Sequence, residues 1–175
     1  MNNYSPDFRL EVEGVKGFCA AGERYAQRMS WEKRTPVLSY EGPCIRGEIA
    51  RLVANTVARE VPSFDRTCHA ETFFVPHSSM ARWVKGAEQV VMIDGCFLKC
   101  HGRVLGKLVG ADKVVQFDAL PFYKKCTDVF LLDDVPEAER NAAARQAAHA
   151  IIDILKRKGF GEPNAAEPAA RAGAL

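Results

Sequence analysis

The sequence predicts an α/β protein: a three-layer α/β/α sandwich built on a mostly parallel sheet of about four strands. Three observations carry this expectation. Short apolar runs of β-branched type alternate along the chain with longer stretches whose apolar residues recur every three or four positions. The run Gln89-Val90-Val91-Met92-Ile93 lacks the in-out alternation of a half-exposed strand, so it belongs in a sheet covered on both faces. Strands separated by helices pair in parallel through right-handed crossovers. With 175 residues and 47% hydrophobic content, the chain can bury one good core but not two.

In order, residues 1–34 read as an N-terminal extension with a short peripheral helix near Phe18 to Met29. Residues 35–160 hold the α/β domain, and the Ala, Pro and Glu-rich residues 161–175 read as a disordered tail. Within the domain, Pro36 to Tyr40 is apolar and bounded by turn formers, which makes it a strand. Ile45, Ile49, Leu52, Val53, Thr56 and Val57 then mark a helix that stops at Pro62. Between Phe64 and Pro76 a second strand is expected, with Glu71-Thr72-Phe73-Phe74-Val75 the better β composition. Ser78 or Ser79 can cap a short helix through Trp83, and the buried strand at Val90 follows. Phe97, Val104, Leu105, Leu108 and Val109 mark the next helix, in which Gly102 and Gly106 permit close approach to a neighbour. Lys113 to Asp118 is a strand. Asp134-Val135-Pro136-Glu137 resembles a capping box, opening a helix with Ala143, Ala147, Ala150, Ile151, Ile154 and Leu155 on one face.

Composition excludes several functions. The 24 basic and 22 acidic side chains nearly cancel, to a net +2, without the clustered basic face that duplex binding demands, so nucleic acid is not an expected partner. Neither a signal-like start nor an apolar run of about 20 residues is present, so neither secretion nor membrane insertion is expected and the chain reads as cytoplasmic. Six cysteines in a reducing compartment point to metal or redox chemistry rather than disulfides.

Cys44 falls at a strand-to-helix junction, and Cys96 follows the buried strand. Both therefore lie at the carboxyl edge of the sheet, where ligands bind in open α/β folds. Cys96 and Cys100 are four apart, and on a helix this spacing places both on one face, suitable for two ligands of one ion. Helix N-termini favour thiolate, the form that binds soft metals. A tetrahedral zinc site needs four such donors. Cys44, Cys96 and Cys100 supply three, and Cys68, His69, His101, Cys126 or water could supply the fourth. Cys19 and Cys126 are otherwise expected to be structural, and His77 and His149 to be solvated. Asp94 is expected to cap the turn or helix at Cys96, or alternatively to orient a histidine.

The run Ile93-Asp94-Gly95-Cys96 with Cys100 after it resembles the DGC-domain family of small zinc-binding proteins, which takes its name from the Asp-Gly-Cys triplet. Cys44-Ile45-Arg46-Gly47 matches the family's upstream strand-end cysteine, and Cys68 its middle one, so the resemblance spans about Pro36 to Asp118. It implies an α/β fold without an established reaction and four metal ligands, here Cys44, Cys68, Cys96 and Cys100. The chain departs from the commoner pattern in Ile45-Arg46, in Phe97, and in the histidines after Cys68 and Cys100, which leave His69 or His101 as possible substitutes for Cys68.

Other readings are weaker. Cys44 could be a nucleophile on an anion-binding loop, but Cys44 and Arg51 enclose one residue too many for a cysteine phosphatase, and Glu48 would repel phosphate. A radical-type iron–sulfur motif fails at Arg103, although four thiolates could hold another cluster. Three classes remain: a metal-binding module, most simply for zinc; a zinc or thiol enzyme with an open coordination position; and an iron–sulfur or redox protein.

Overall fold

A computed structural model describes residues 9–123 and 129–160. Its sheet contains β1 (Thr35–Ser39), β2 (Phe64–Arg66), β3 (Val90–Asp94) and β4 (Val114–Asp118). They lie in the order β2-β1-β3-β4 and every neighbouring pair is parallel. The helices among the described residues are α1 (Ala20–Trp31), α2 (Ile45–Glu60), α3 (His69–Phe74), α4 (Ser79–Gly86), α5 (Cys100–Val109) and α6 (Glu137–Arg157). This is the expected α/β class, with a four-stranded parallel sheet.

Alternation along the strands divides the core into two layers. Val37, Val91, Ile93 and Phe117 pack with the apolar faces of α2 and α6. Leu38, Val90 and Met92 pack on the opposite side with Val84 of α4 and Leu105 of α5. All five residues of β3 are buried, as its unbroken apolar run requires. Outside α4 lies α1, held by Tyr25 edge-on to Trp83 and by the Tyr25 hydroxyl, which donates to Asp65 at 2.5 Å and to the Arg66 carbonyl at 2.9 Å. The Ser79 amide and hydroxyl donate to the Glu23 carboxylate, at 2.5 and 2.6 Å.

Strand order places a crevice at one edge of the sheet. From β1 the chain crosses by way of α2 to β2 on one side, whereas from β3 it crosses by way of α5 to β4 on the other. The connections therefore diverge between β1 and β3 and leave a cleft outside their carboxyl ends.

Three local expectations are corrected. Glu71–Phe74 is helical, and the strand is Phe64–Arg66. Local and long-range bonds together override composition here: within the first turn the Thr72 amide and hydroxyl both donate to the Cys68 carbonyl, at 3.0 and 2.8 Å, and from a distant part of the chain the Cys19 amide donates to buried Glu71 at 3.1 Å. The helix carrying Cys100 begins at Cys100 itself, so Cys96 lies in the preceding turn and not on that helix. Its entry runs through Lys99 in the left-handed region (φ 49°), which ends the turn and prevents the helix from extending back to Cys96. No capping box forms at α6. Asp134 is held in a 3-10 turn, and extended Pro136 precedes Glu137 with no side-chain cap. The buried stripe of α6 includes Ala144, Ala148 and Ile152, with Ala150 and Ile154 at its margin.

Candidate metal centre

The correction at β2 places the cysteines together on one edge. Cys44 follows β1 as N-cap of α2, Cys68 follows β2 as N-cap of α3, and Cys96 follows β3. Since all strands are parallel, each cysteine stands at the carboxyl end of its strand. Cys44, Cys96 and Cys100 line one pocket of about 290 Å³ together with Tyr40, Arg46, Asp94, Lys99, Leu98 and Phe130. These three thiols are half-buried and free of disulfides. Cys68 is exposed and outside that wall, beyond β1.

Close backbone contact brings the two loops together. A Cβ on Gly95 would lie 2.5 Å from the Arg46 carbonyl oxygen, so the turn carrying Cys96 can rest on the start of α2 only if this position has no side chain. The far wall comes from Val129 to Leu131: Leu131 forms an isolated bridge with Cys44, and the Ile45 amide donates to the Phe130 carbonyl at 3.1 Å.

Asp94 supplies the floor. It is 1% exposed; Oδ2 accepts from Gln116 Nε2 at 2.7 Å and Oδ1 from the Gly102 amide at 3.4 Å. The carboxylate thus serves the N-terminus of α5 from the adjacent strand, the role that the Lys99 side chain leaves unfilled. Burial raises the Asp94 pKa above the ordinary carboxylate range, and the Gln116 and Gly102 hydrogen bonds oppose the shift.

Behind Cys100 the rings of His101 and His69 stack, with centroids 5.1 Å apart. Tyr40 and Phe73 flank His101 at 5.2 and 5.7 Å. Burial, then the neighbouring His69, lowers the His101 pKa below the usual imidazole range, while the Ser39 backbone opposes this. His69 Nδ1 lies 4.0 Å from Glu41. The two histidines make a packed aromatic cluster beside the thiol pocket, and neither lines it. His77 and His149 are exposed. Cys19 caps α1, accepting the Gly22 amide at 3.4 Å, and Cys126 lies outside the described residues. Arg51 is turned onto Glu48 at 2.9 Å, away from any phosphate loop. Among the described residues no three His, Cys, Asp or Glu side chains stand ready-made as a metal cage.

Sequence reasoning missed Tyr40 and the segment from Val129. Tyr40 follows β1 directly, and a strand-end position on the ligand-binding edge was the available signal. The segment from Val129 had none, because its contacts are backbone bonds without periodicity.

Fold and cleft define a class: a parallel α/β protein with a thiol-lined crevice at the point where the strand order reverses. Within that class the DGC domain family model matches residues 37–151, and the chain belongs to the DGC-domain family. No curated protein and no solved structure matches it. No helix among the described residues is long and apolar enough to cross a membrane.

Proposed function

We propose that this is a metal-binding protein whose centre is a cysteine-thiolate site, with zinc as its occupant, in the cleft between β1 and β3. The observation that carries the reading is the convergence of Cys44, Cys96 and Cys100 on one pocket from two separate strand ends. Three thiols with no competing carboxylate ligand except buried Asp94 suit a soft or borderline ion. Loading asks the cysteine side chains to turn inward, a rotation between staggered wells that the half-buried thiols can make. Cys68 is the proposed fourth ligand, from the next strand end. Binding displaces the thiol protons and makes metal affinity part of folding stability. Arg46 and Lys99 on the pocket wall offset the negative charge that three or four thiolates leave on a divalent ion. The same four sulfurs could instead hold an iron–sulfur cluster, which would colour the protein.

A second reading has its own support. Cys68 stands outside the pocket that the other three cysteines share, and three protein ligands with a cavity beside them describe an open, reactive metal site. In that case the centre is an enzyme's, with the fourth position left to water or substrate.

Elemental analysis of protein purified without added metal tests both. The proposal expects about one zinc per chain, colourless, and loss of most of it in Cys96→Ser. Zinc that is substoichiometric and indifferent to Cys96→Ser refutes it. Cys68→Ser separates the readings: a closed four-sulfur site loses its metal, whereas an open site retains it.

A further inference from the structure

We propose that the mouth of the thiol pocket is a self-association face, covered by the same face of a second copy of this chain in a two-fold dimer. The inference goes beyond the metal reading and holds whether or not an ion occupies the pocket.

The face has an apolar centre. Phe97, Leu98, Phe130 and Leu131 are each more than half exposed. Singly exposed apolar side chains are ordinary, but these four gather at one opening. Leu98 and Phe130 line the pocket, Phe97 precedes Leu98, and Leu131 is bridged to Cys44.

Charge divides the rim. Lys99, Arg103 and Lys107 are spaced four apart and form one row, all exposed, along a helix that contains no acidic residue. On the other wall Leu131 leads into Asp133, Asp134 and Glu137, also exposed. None of these six charges has an ion-pair partner among the described residues.

A face that is positive on one side of an apolar centre and negative on the other is its own complement. A two-fold axis lying in the contact plane, across the line joining the rims, brings the α5 row of each copy onto the acidic rim of the other. The same rotation sets the two apolar centres together. Other occupants meet a rim of the wrong sign: Asp133, Asp134 and Glu137 repel an anionic bilayer and equally a uniformly acidic protein. In the dimer the pocket mouths face each other, so the aromatic side chains of one copy roof the thiols of its partner.

Sedimentation velocity of the full chain, in reductant and chelator, reads the association without disulfide or metal bridges. Wild type should pass from monomer to dimer below about 100 µM. Phe97→Ser and Phe130→Ser, both at exposed positions, should each weaken the dimer at least about tenfold, because every contact occurs twice in a two-fold interface. Arg103→Glu with Lys107→Glu reverses the basic row, and Asp133→Lys with Asp134→Lys reverses the acidic rim; each pair should weaken self-association by at least about tenfold. Mixed in equal amounts, these two charge variants should recover a 1:1 dimer, which misfolding of either could not produce. A wild type still monomeric at about 100 µM, a dimer indifferent to the apolar variants, or charge variants that fail to recover on mixing overturns the inference. Vesicles of phosphatidylserine and phosphatidylcholine should leave wild type in the supernatant; co-sedimentation that Phe130→Ser abolishes assigns the face to a membrane instead.

Discussion

Gly102 and Gly106 offer the same substitution on one helix with opposite expected signs. Replacing a helical glycine by alanine ordinarily stabilises by up to about 1 kcal/mol, through backbone entropy. At Gly106 the new Cβ would meet Ala111 at 3.8 Å, an ordinary contact, so that gain should appear. At Gly102 it would collide with the Gln116 amide and lie 2.5 Å from Asp94 Oδ2. Forcing a methyl into so tight a seam costs about 1–3 kcal/mol. Displacing Gln116 and the α5 amide from a buried carboxylate costs about 1–3 kcal/mol more. Set against the helix gain, Gly102→Ala should destabilise by about 3 kcal/mol, a fall in melting temperature of roughly 6–12 °C for a chain of this size. Gly106→Ala should raise it by roughly 2–4 °C. Thermal unfolding followed by circular dichroism, in chelator to keep metal out of the comparison, reads both. If Gly102→Ala melts at or above wild type, then Asp94, Gln116 and α5 do not form the close seam described, and the floor of the thiol pocket is differently built.

Two further expectations concern the edge that α1 covers. The Glu23 carboxyl is held below its usual range, first by the Ser79 hydroxyl and then by the Ser79 amide. A carboxylate with a folded pKa below its unfolded value contributes stability that is complete above the unfolded value of about 4.3 and is lost as pH falls through the folded one. Glu23→Gln should therefore lower the urea midpoint at neutral pH and flatten the acid limb of the midpoint-against-pH curve; parallel acid limbs in wild type and variant would contradict the capping role. Tyr25→Phe removes a donor to Asp65 and the Arg66 carbonyl and should cost about 1–2 kcal/mol in urea unfolding. An unchanged midpoint would mean that α1 contributes nothing through this contact.

The layers of this fold were legible because periodicity reports burial. The apolar run at Val90 and the helical spacing from Ile45 describe faces that the core occupies, and they placed β3 and α2 within a residue or so. Where long-range polar contacts decide, the same logic failed. Glu71 to Phe74 has strand composition, but Glu71 is taken by the Cys19 amide, a partner no local pattern reveals. At Cys96 and Cys100 a correct juxtaposition was predicted for the wrong reason. Spacing of four suggested a shared helix face, yet a turn ending in left-handed Lys99 brings both residues to the pocket. Cys68 moved the other way: a strand at Glu71 to Val75 would have put it ahead of a strand, whereas it follows β2 and so joins the edge that holds Cys44 and Cys96. Strand order, which the sequence left open, is what makes the crevice fall between β1 and β3.

The shortness of β2 leaves a problem that its last residue resolves. After three residues the ladder stops, and the Val37 carbonyl on β1 would face the open margin of the sheet. There the Thr67 amide and the Arg66 guanidinium both donate to it, at 3.2 and 3.1 Å, while Arg66 continues along the margin to Ser39 and Glu41 at 2.8 and 2.6 Å. A charged side chain thus extends the ladder where main chain runs out. An incoming strand from another molecule would have to strip a guanidinium from its carboxylate before it could pair, which makes this margin a poor template for aggregation.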